Sequence, residues 1–197
     1  MPRPALKEER REQILQAFER CVARYGIEGA TLERIAEEAN LARALIRHNV
    51  GNRDDLVLAL IERFFARSDD QWAALTKALP EKNKTKALIE YLFDSRYSDS
   101  QLVLLTEALI AGGAQDKQLA KRLRDWIDQS LDVMTGIIRQ DFQKAASDRV
   151  EACAAGILGI YFNVDSFALI GDMSRLRGAS RAAALALVDN LEKGMSR

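Results

Sequence analysis

An all-α fold is predicted, with an N-terminal three-helix helix-turn-helix head followed by a longer helical domain. Three observations predict it. Proline occurs only three times in 197 residues, at Pro2, Pro4 and Pro80, so few segments are barred from helix. The composition is dominated by Ala, Leu, Glu, Lys, Arg and Gln, which favour helices. Apolar residues recur at spacings of three and four, the period of an amphipathic helix.

The elements follow in order. Pro4 suits the first turn of a helix, and Ile14, Phe18, Val22 and Tyr25 form one stripe along it. Gly26 and Gly29 end this helix. Thr31 stands at the N-cap of a second, short helix whose buried face is Leu32, Ile35, Ala36 and Ala39. Asn40-Leu41-Ala42 make a tight turn into a third helix at 43–48, and Val50-Gly51-Asn52 break it. Asn52 caps the fourth helix, with Asp54 and Asp55 in its first turn where the helix dipole favours acids. That helix passes Leu60, Phe64 and Trp72 to about Leu79 and stops at Pro80. Longer helices are expected at 84–97, 101–111, 116–145, 148–171 and 180–194, with breaks at Gly112-Gly113, Ser147 and Gly178–Ser180. Domain boundaries are placed at 1–55 and 56–197.

Composition narrows the function. Hydrophobic residues make up 48% and charged residues 29%, which excludes disorder for the bulk of the chain. Lys plus Arg equals Asp plus Glu, 29 each. That excludes a uniformly basic nucleic-acid coat but leaves room for a local basic patch. Cys21 and Cys153 are far apart among apolar neighbours and read as small core residues rather than a disulfide, which suits a reducing compartment. The N-terminus is basic and polar. No run of about 18 apolar residues is read. Residues 152–164 come closest, with Glu151, Asn163 and Asp165 interrupting the stretch. A soluble, cytoplasmic protein without a membrane partner is expected.

Helices as short as the second and third are marginal alone and must pack on one another. A use for such a trihelix is to present one helix to a DNA major groove, which is about 12 Å wide. Arg43 and Arg47 are four apart on one face of the third helix, while Leu45 and His48 occupy a neighbouring face and Ile46 and Leu41 anchor inward. Arginine grips guanine bidentately and leucine touches a thymine methyl. The plain alternative is an ordinary solvated helix. His48 is the only histidine, which excludes a multi-histidine metal site.

The segment "ATLERIAEEANLARALIRHNVGNRDDL", preceded by Tyr25-Gly26, resembles the TetR family of transcriptional regulators over about residues 10–60. The corresponding features are Thr31, Ile35-Ala36, the Asn40-Leu41-Ala42 turn, Ile46, Asn49-Val50, Asn52-Arg53-Asp54 and Leu56. The resemblance implies base contacts from Arg43, Leu45 and His48, and phosphate contacts from Thr31, Arg47, Asn49 and Arg53. This chain departs from the family pattern in several places. Asn40 replaces a glycine, Ala42 replaces a capping Ser or Thr, Arg47 replaces a tyrosine, Asn49 replaces a histidine and Arg53 replaces a lysine. Glu33 is an awkward charge beside DNA and is read as serving the helix dipole. Residues 1–66 hold eleven basic and eleven acidic residues, so binding requires the acids to sit away from the contact face.

The resemblance further implies a homodimer on a palindromic double-stranded DNA operator and a small-molecule effector of unknown identity. No cofactor, metal or catalytic residue is expected from the residues themselves. Helix 148–171 is apolar on nearly all sides, with Ala152, Ala155, Gly156 and Gly159 interspersed. With Ala184, Leu187, Val188 and Leu191 of the last helix it suits a four-helix dimer bundle, the alternative being the core of a monomer. Tyr91, Leu105, Trp126, Met134, Tyr161 and Phe162 are the candidate effector-lining residues, or else plain core. Asp165 must be paired or meet a polar ligand. A repressor released by its effector is the leading reading, and a helical interaction dimer with a degenerate head is the alternative. No spacing of an enzyme motif is present.

Overall fold

The computed structural model describes residues 3–195, with side chains over 6–193. These described residues form α1 (Arg3–Gly29), α2 (Leu32–Ala39), α3 (Arg43–Val50), α4 (Arg53–Ala78), α5 (Lys84–Leu92), α6 (Ser100–Gly113), α7 (Lys117–Asp141), α8 (Ser147–Phe167) and α9 (Ser174–Met195), and contain no strand. Single 3₁₀ turns follow α5 and α8. The chain divides into two compact units. One holds residues through Asp69 together with Gln101–Ala120, and the other holds Asp70–Ser100 and the chain from Lys121 onward.

In the first unit, Ile14, Phe18 and Val22 of α1 are fully buried, together with Ile35 of α2, Ile46 of α3, and Leu56 and Leu60 of α4. Tyr25 departs from the expected stripe. It is exposed, and the Arg34 guanidinium lies 4.3 Å over its ring. The backbone leaves the helical region at Gly26 (φ 71°, ψ 172°), so the helix breaks there before its last residues. α2 buries Leu32, Ile35, Ala36 and Ala39 as expected. Asn40 ends it in the left-handed conformation (φ 51°, ψ 47°), which asparagine tolerates. Charged groups fasten the helices together. Glu38 of α2 pairs with Arg20 and Arg24 of α1, and Arg63 of α4 pairs with Glu12 and Glu19 of α1. Arg63 beside Glu12 holds that carboxyl below the usual carboxylate range.

α4 opens on a reciprocal cap. The Asp55 N–H donates to Asn52 Oδ1 (3.0 Å) and the Asn52 N–H donates to Asp55 Oδ2 (2.9 Å). Gly51 has φ 87°, and a Cβ there would lie 2.3 Å from Asp55 Oδ2, so the turn from α3 into α4 requires glycine. At the other end of α3, Ala42 is an extended N-cap with no side-chain hydrogen bond. Ala42→Ser supplies the missing acceptor and is expected to raise stability by about 0.5–1 kcal/mol, read as an increased urea midpoint at unchanged slope.

The second unit packs α5, α7, α8 and α9 around Leu88, Ile89, Met134, Ile137, Ile138, Val150, Ile157, Ala184 and Val188. Asp141 of α7 caps α5, accepting from the Thr85 backbone N–H (2.7 Å) and hydroxyl (2.8 Å). Several boundaries differ from expectation. The helix expected over 84–97 stops at Leu92, because Asp94 accepts from the Arg96 N–H and redirects the chain into a 3₁₀ turn. α7 stops at Asp141 rather than 145. The expected break at Gly178–Ser180 is absent: α9 starts at Ser174, where Asp172 caps it through the Ser174 N–H (2.9 Å), and runs through Gly178. Cys153 is buried, and burial pushes its thiol up to about 11, so it is a neutral core residue at pH 7.

α8 packs closely on α9. A Cβ on Gly156 would lie 2.7 Å from Leu187 Cδ1, so a larger residue there requires the Leu187 side chain to move. Ala184, Val188 and Leu191, expected at a dimer interface, are instead buried in the core of their own chain. The residues α8 leaves exposed include Ala152, Ala155, Gly159 and Asn163, beside the charged Asp148, Arg149 and Glu151 of its first turns and Phe167 at its end, and on α9 Ala182, Ala183 and Ala186 are exposed. The segment Ser147–Ile170 is, by length and composition, apolar enough to cross a membrane, which the sequence reading does not expect. Its Ala, Gly, Ile and Leu content outweighs the few polar residues, and one of these, Asp165, is bound inside the fold.

Candidate functional site

α2 and α3 form the helix-turn-helix. Ile46 is fully buried and Val50 nearly so, which turns the opposite face of α3 outward. Arg43, Arg47 and His48 are exposed and Leu45 is half-buried. The side chains of Arg47 and His48 make no hydrogen bond or ion pair among the described residues. Arg43 is different, because its guanidinium Nη1 lies 2.5 Å from Glu33 Oε1 of α2. The Glu33 backbone N–H, then Arg43, the Thr31 hydroxyl and Arg47, hold the Glu33 carboxyl below the usual range. Glu33 therefore does more than serve the helix dipole. It ties the first residue of α3 to the first turn of α2.

Thr31 is exposed, and its hydroxyl oxygen accepts from the Arg34 N–H at 3.4 Å, the N-cap expected of it. Asn49 donates its side-chain amide to the Leu45 carbonyl (2.8 Å), leaving one amide N–H for another acceptor. Arg53 is half-buried. It donates to the Ile27 carbonyl (2.6 Å) and lies 3.4 Å from Glu28, joining the start of α4 to the last residues of α1. Sequence patterning carries no signal for these last two contacts, because each depends on chain brought together by packing. Three acids are held by cations of α1 and α4, Glu12 and Glu19 by Arg63 and Glu38 by Arg20 and Arg24, whereas Glu33 is paired with Arg43 of α3 itself.

In the second unit, Trp126, Phe162 and Tyr161 make a run of aromatic rings, with successive centroids 5.7 Å apart. Met134 is fully enclosed in the core. Tyr91 is exposed and stacks on Tyr97 at 4.3 Å. Leu105 is buried on α6, in the first unit. Asp165 finds its partners within its own chain: Ser98 donates its hydroxyl (3.1 Å) and the Arg177 guanidinium lies 3.6 Å away. Burial, then Asp165 beside it, pushes the Tyr161 phenol well up.

Residues 14–60 match a family described as "Bacterial regulatory proteins, tetR family". Over 103 residues the chain is 26% identical to the HTH-type transcriptional regulator BetI of Burkholderia ambifaria, covering 52% of each protein. The chain thus spans about half the length of the curated relatives it matches. Among solved structures, it is similar in fold to a TetR transcription regulator from Haloarcula marismortui, with TM-score 0.74, 17% identity, and coverage of 93% of this chain and 98% of that one. It is also similar in fold to a transcriptional regulator from Saccharomonospora viridis solved in complex with choline. There the TM-score is 0.74 and the identity 16%, covering 92% of this chain and 96% of that one.

Proposed function

We propose that the chain belongs, by its N-terminal domain, to the TetR family of bacterial regulatory proteins, and that it is a ligand-responsive, dimeric DNA-binding transcriptional regulator, a repressor released from its operator by a small molecule. The reading divides the chain into a DNA-binding head over residues 1–55 and a ligand-binding and dimerisation domain over 56–197. One observation carries it. α3 is pinned inward by Ile46 and Val50 and turns Arg43, Arg47 and His48 to solvent. Arg43, Leu45 and His48 read base edges, while Thr31, Arg47, Asn49 and Arg53 hold phosphates. Two heads on one dimer read the halves of a palindrome, one helical turn of DNA apart. The stripe of small residues that α8 and α9 leave exposed supports close helix packing between two copies. An effector bound near Trp126, Tyr161 and Phe162 favours a head spacing that misfits the operator, which couples the two sites. The choline-bound relative supports a small-molecule site in this fold.

Gel retardation with the DNA flanking the protein's own gene tests this reading. Arg47→Ala weakens binding to every sequence and flattens the dependence of log K on log salt by about one phosphate contact. Arg43→Ala relaxes preference at one base position by roughly 1–3 kcal/mol. Glu33→Gln releases Arg43 and removes a negative charge, so it tightens binding to random DNA. Equal loss on all sequences for Arg43→Ala contradicts its base-reading role, and failure to retard any DNA favours an interaction dimer with a degenerate head. Light scattering that finds only a 22.0 kDa species at micromolar concentration defeats the dimer.

A further inference from the structure

The second unit contains a cleft of about 510 Å³ that none of the expected effector residues lines. Its walls are the turn after α5, with Phe93 and Ser98, the junction before α9, with Met173 and Ser174, and the first turns of α9, with Arg177 and Arg181.

Arg177 is the group with an unmet need. Its side chain is only 12% exposed, and its Nη1 is buried without a hydrogen-bond partner. A guanidinium carries five N–H donors and no acceptor, and burying one unsatisfied is costly. The other charges around the cleft are already engaged. Arg181 donates to Glu90, Asp94 accepts from Arg96, and Asp172 caps α9 through Ser174. Asp165 lies 3.6 Å from Nη2 of the Arg177 guanidinium and itself accepts from the Ser98 hydroxyl, with the Tyr161 phenol beside it. Asp94 and Asp172 also line the cleft, and they oppose any ligand with a second negative charge. Phe93 and Met173 supply apolar wall, and the Phe93 ring stands edge-on to Tyr161 at 6.3 Å, next to the aromatic run.

We propose that this cleft is the effector site and that it takes a small organic monocarboxylate. The carboxylate docks on Arg177, whose planar fork matches it, and the apolar remainder lies against Phe93 and Met173. The effector role rests on the regulator reading above, whereas the binding itself does not.

The test is calorimetric titration of the full chain with acetate, butyrate, hexanoate, benzoate and phenylacetate, each beside its amide, and with inorganic phosphate. At least one acid binds, and its amide binds at least about tenfold more weakly. Arg177→Gln alone strands Asp165, so the paired variant Asp165→Asn/Arg177→Gln keeps the charge balance, and it loses the acid. Arg177→Lys keeps the charge without the fork and weakens the acid by at least about tenfold. The proposal is overturned if no acid gives heat, if amides bind as well as acids, if phosphate alone binds, or if either variant binds the acid unchanged. No DNA is present in these titrations. A chain that binds acid but retards no DNA sinks the regulator reading and keeps the cleft, and a chain that retards DNA but binds no acid does the reverse.

Discussion

Ile46→Ala is expected to lower stability by about 2–5 kcal/mol and to abolish DNA retardation, whereas Arg47→Ala weakens retardation on every sequence at nearly unchanged stability. Ile46 is fully buried in a helix of eight residues. α3 is too short to hold its shape alone, so its form depends on packing against α1 and α2. Its only other deeply buried side chain is Val50, at the opposite end. Ala42 provides no capping oxygen to compensate. Removing the Ile46 side chain therefore frees the whole reading surface, not one contact. With total stability of order 5–15 kcal/mol, a loss of that size is visible as a lowered urea midpoint. Ile46→Val, which removes one methylene, costs about 0.5–1.5 kcal/mol and should retain DNA binding. An unchanged midpoint for Ile46→Ala would mean that α3 is held by something other than its buried face.

The buried face of α2, against which α3 packs, is legible in the sequence. Leu32, Ile35, Ala36 and Ala39 follow the helical period, Thr31 and Asn52 have the chemistry of caps, and Asn40 tolerates the left-handed turn it makes. What local pattern could not provide was the charge pairing. Glu33 meets Arg43, and Arg53 meets the Ile27 carbonyl, only because packing brings distant segments together. Gly178 misled for a related reason. Glycine inside a helix costs about 1 kcal/mol, but the Asp172 cap upstream and the buried Ala184, Val188 and Leu191 downstream outweigh it. Tyr25 keeps the helical spacing yet lies outside the core, with Arg34 of α2 over its ring. The cleft around Arg177 is built mainly from turns and helix ends, which have no period to read.

Asp165→Ala is expected to destabilise the chain by about 3–5 kcal/mol, because it strands Arg177 in the interior. The Asp165 side chain is 10% exposed and that of Arg177 is 12% exposed. At 3.6 Å the pair is loose, and one guanidinium N–H already lacks an acceptor. Ser98 and Tyr161 also lose their carboxylate neighbour in the alanine variant. Replacing both charged groups by apolar residues of similar volume, Asp165→Leu with Arg177→Met, removes the desolvation cost together with the attraction. That double variant is expected to be as stable as the parent or more so, and a double-mutant cycle by urea unfolding measures the coupling. The contrast separates two reasons for keeping an acid in an otherwise apolar helix. If the double variant is as unstable as Asp165→Ala, the pair is there to hold α8 to α9. If it is stable, folding does not require the pair, and the retention of Arg177 in the wall of the cleft is accounted for by what it binds.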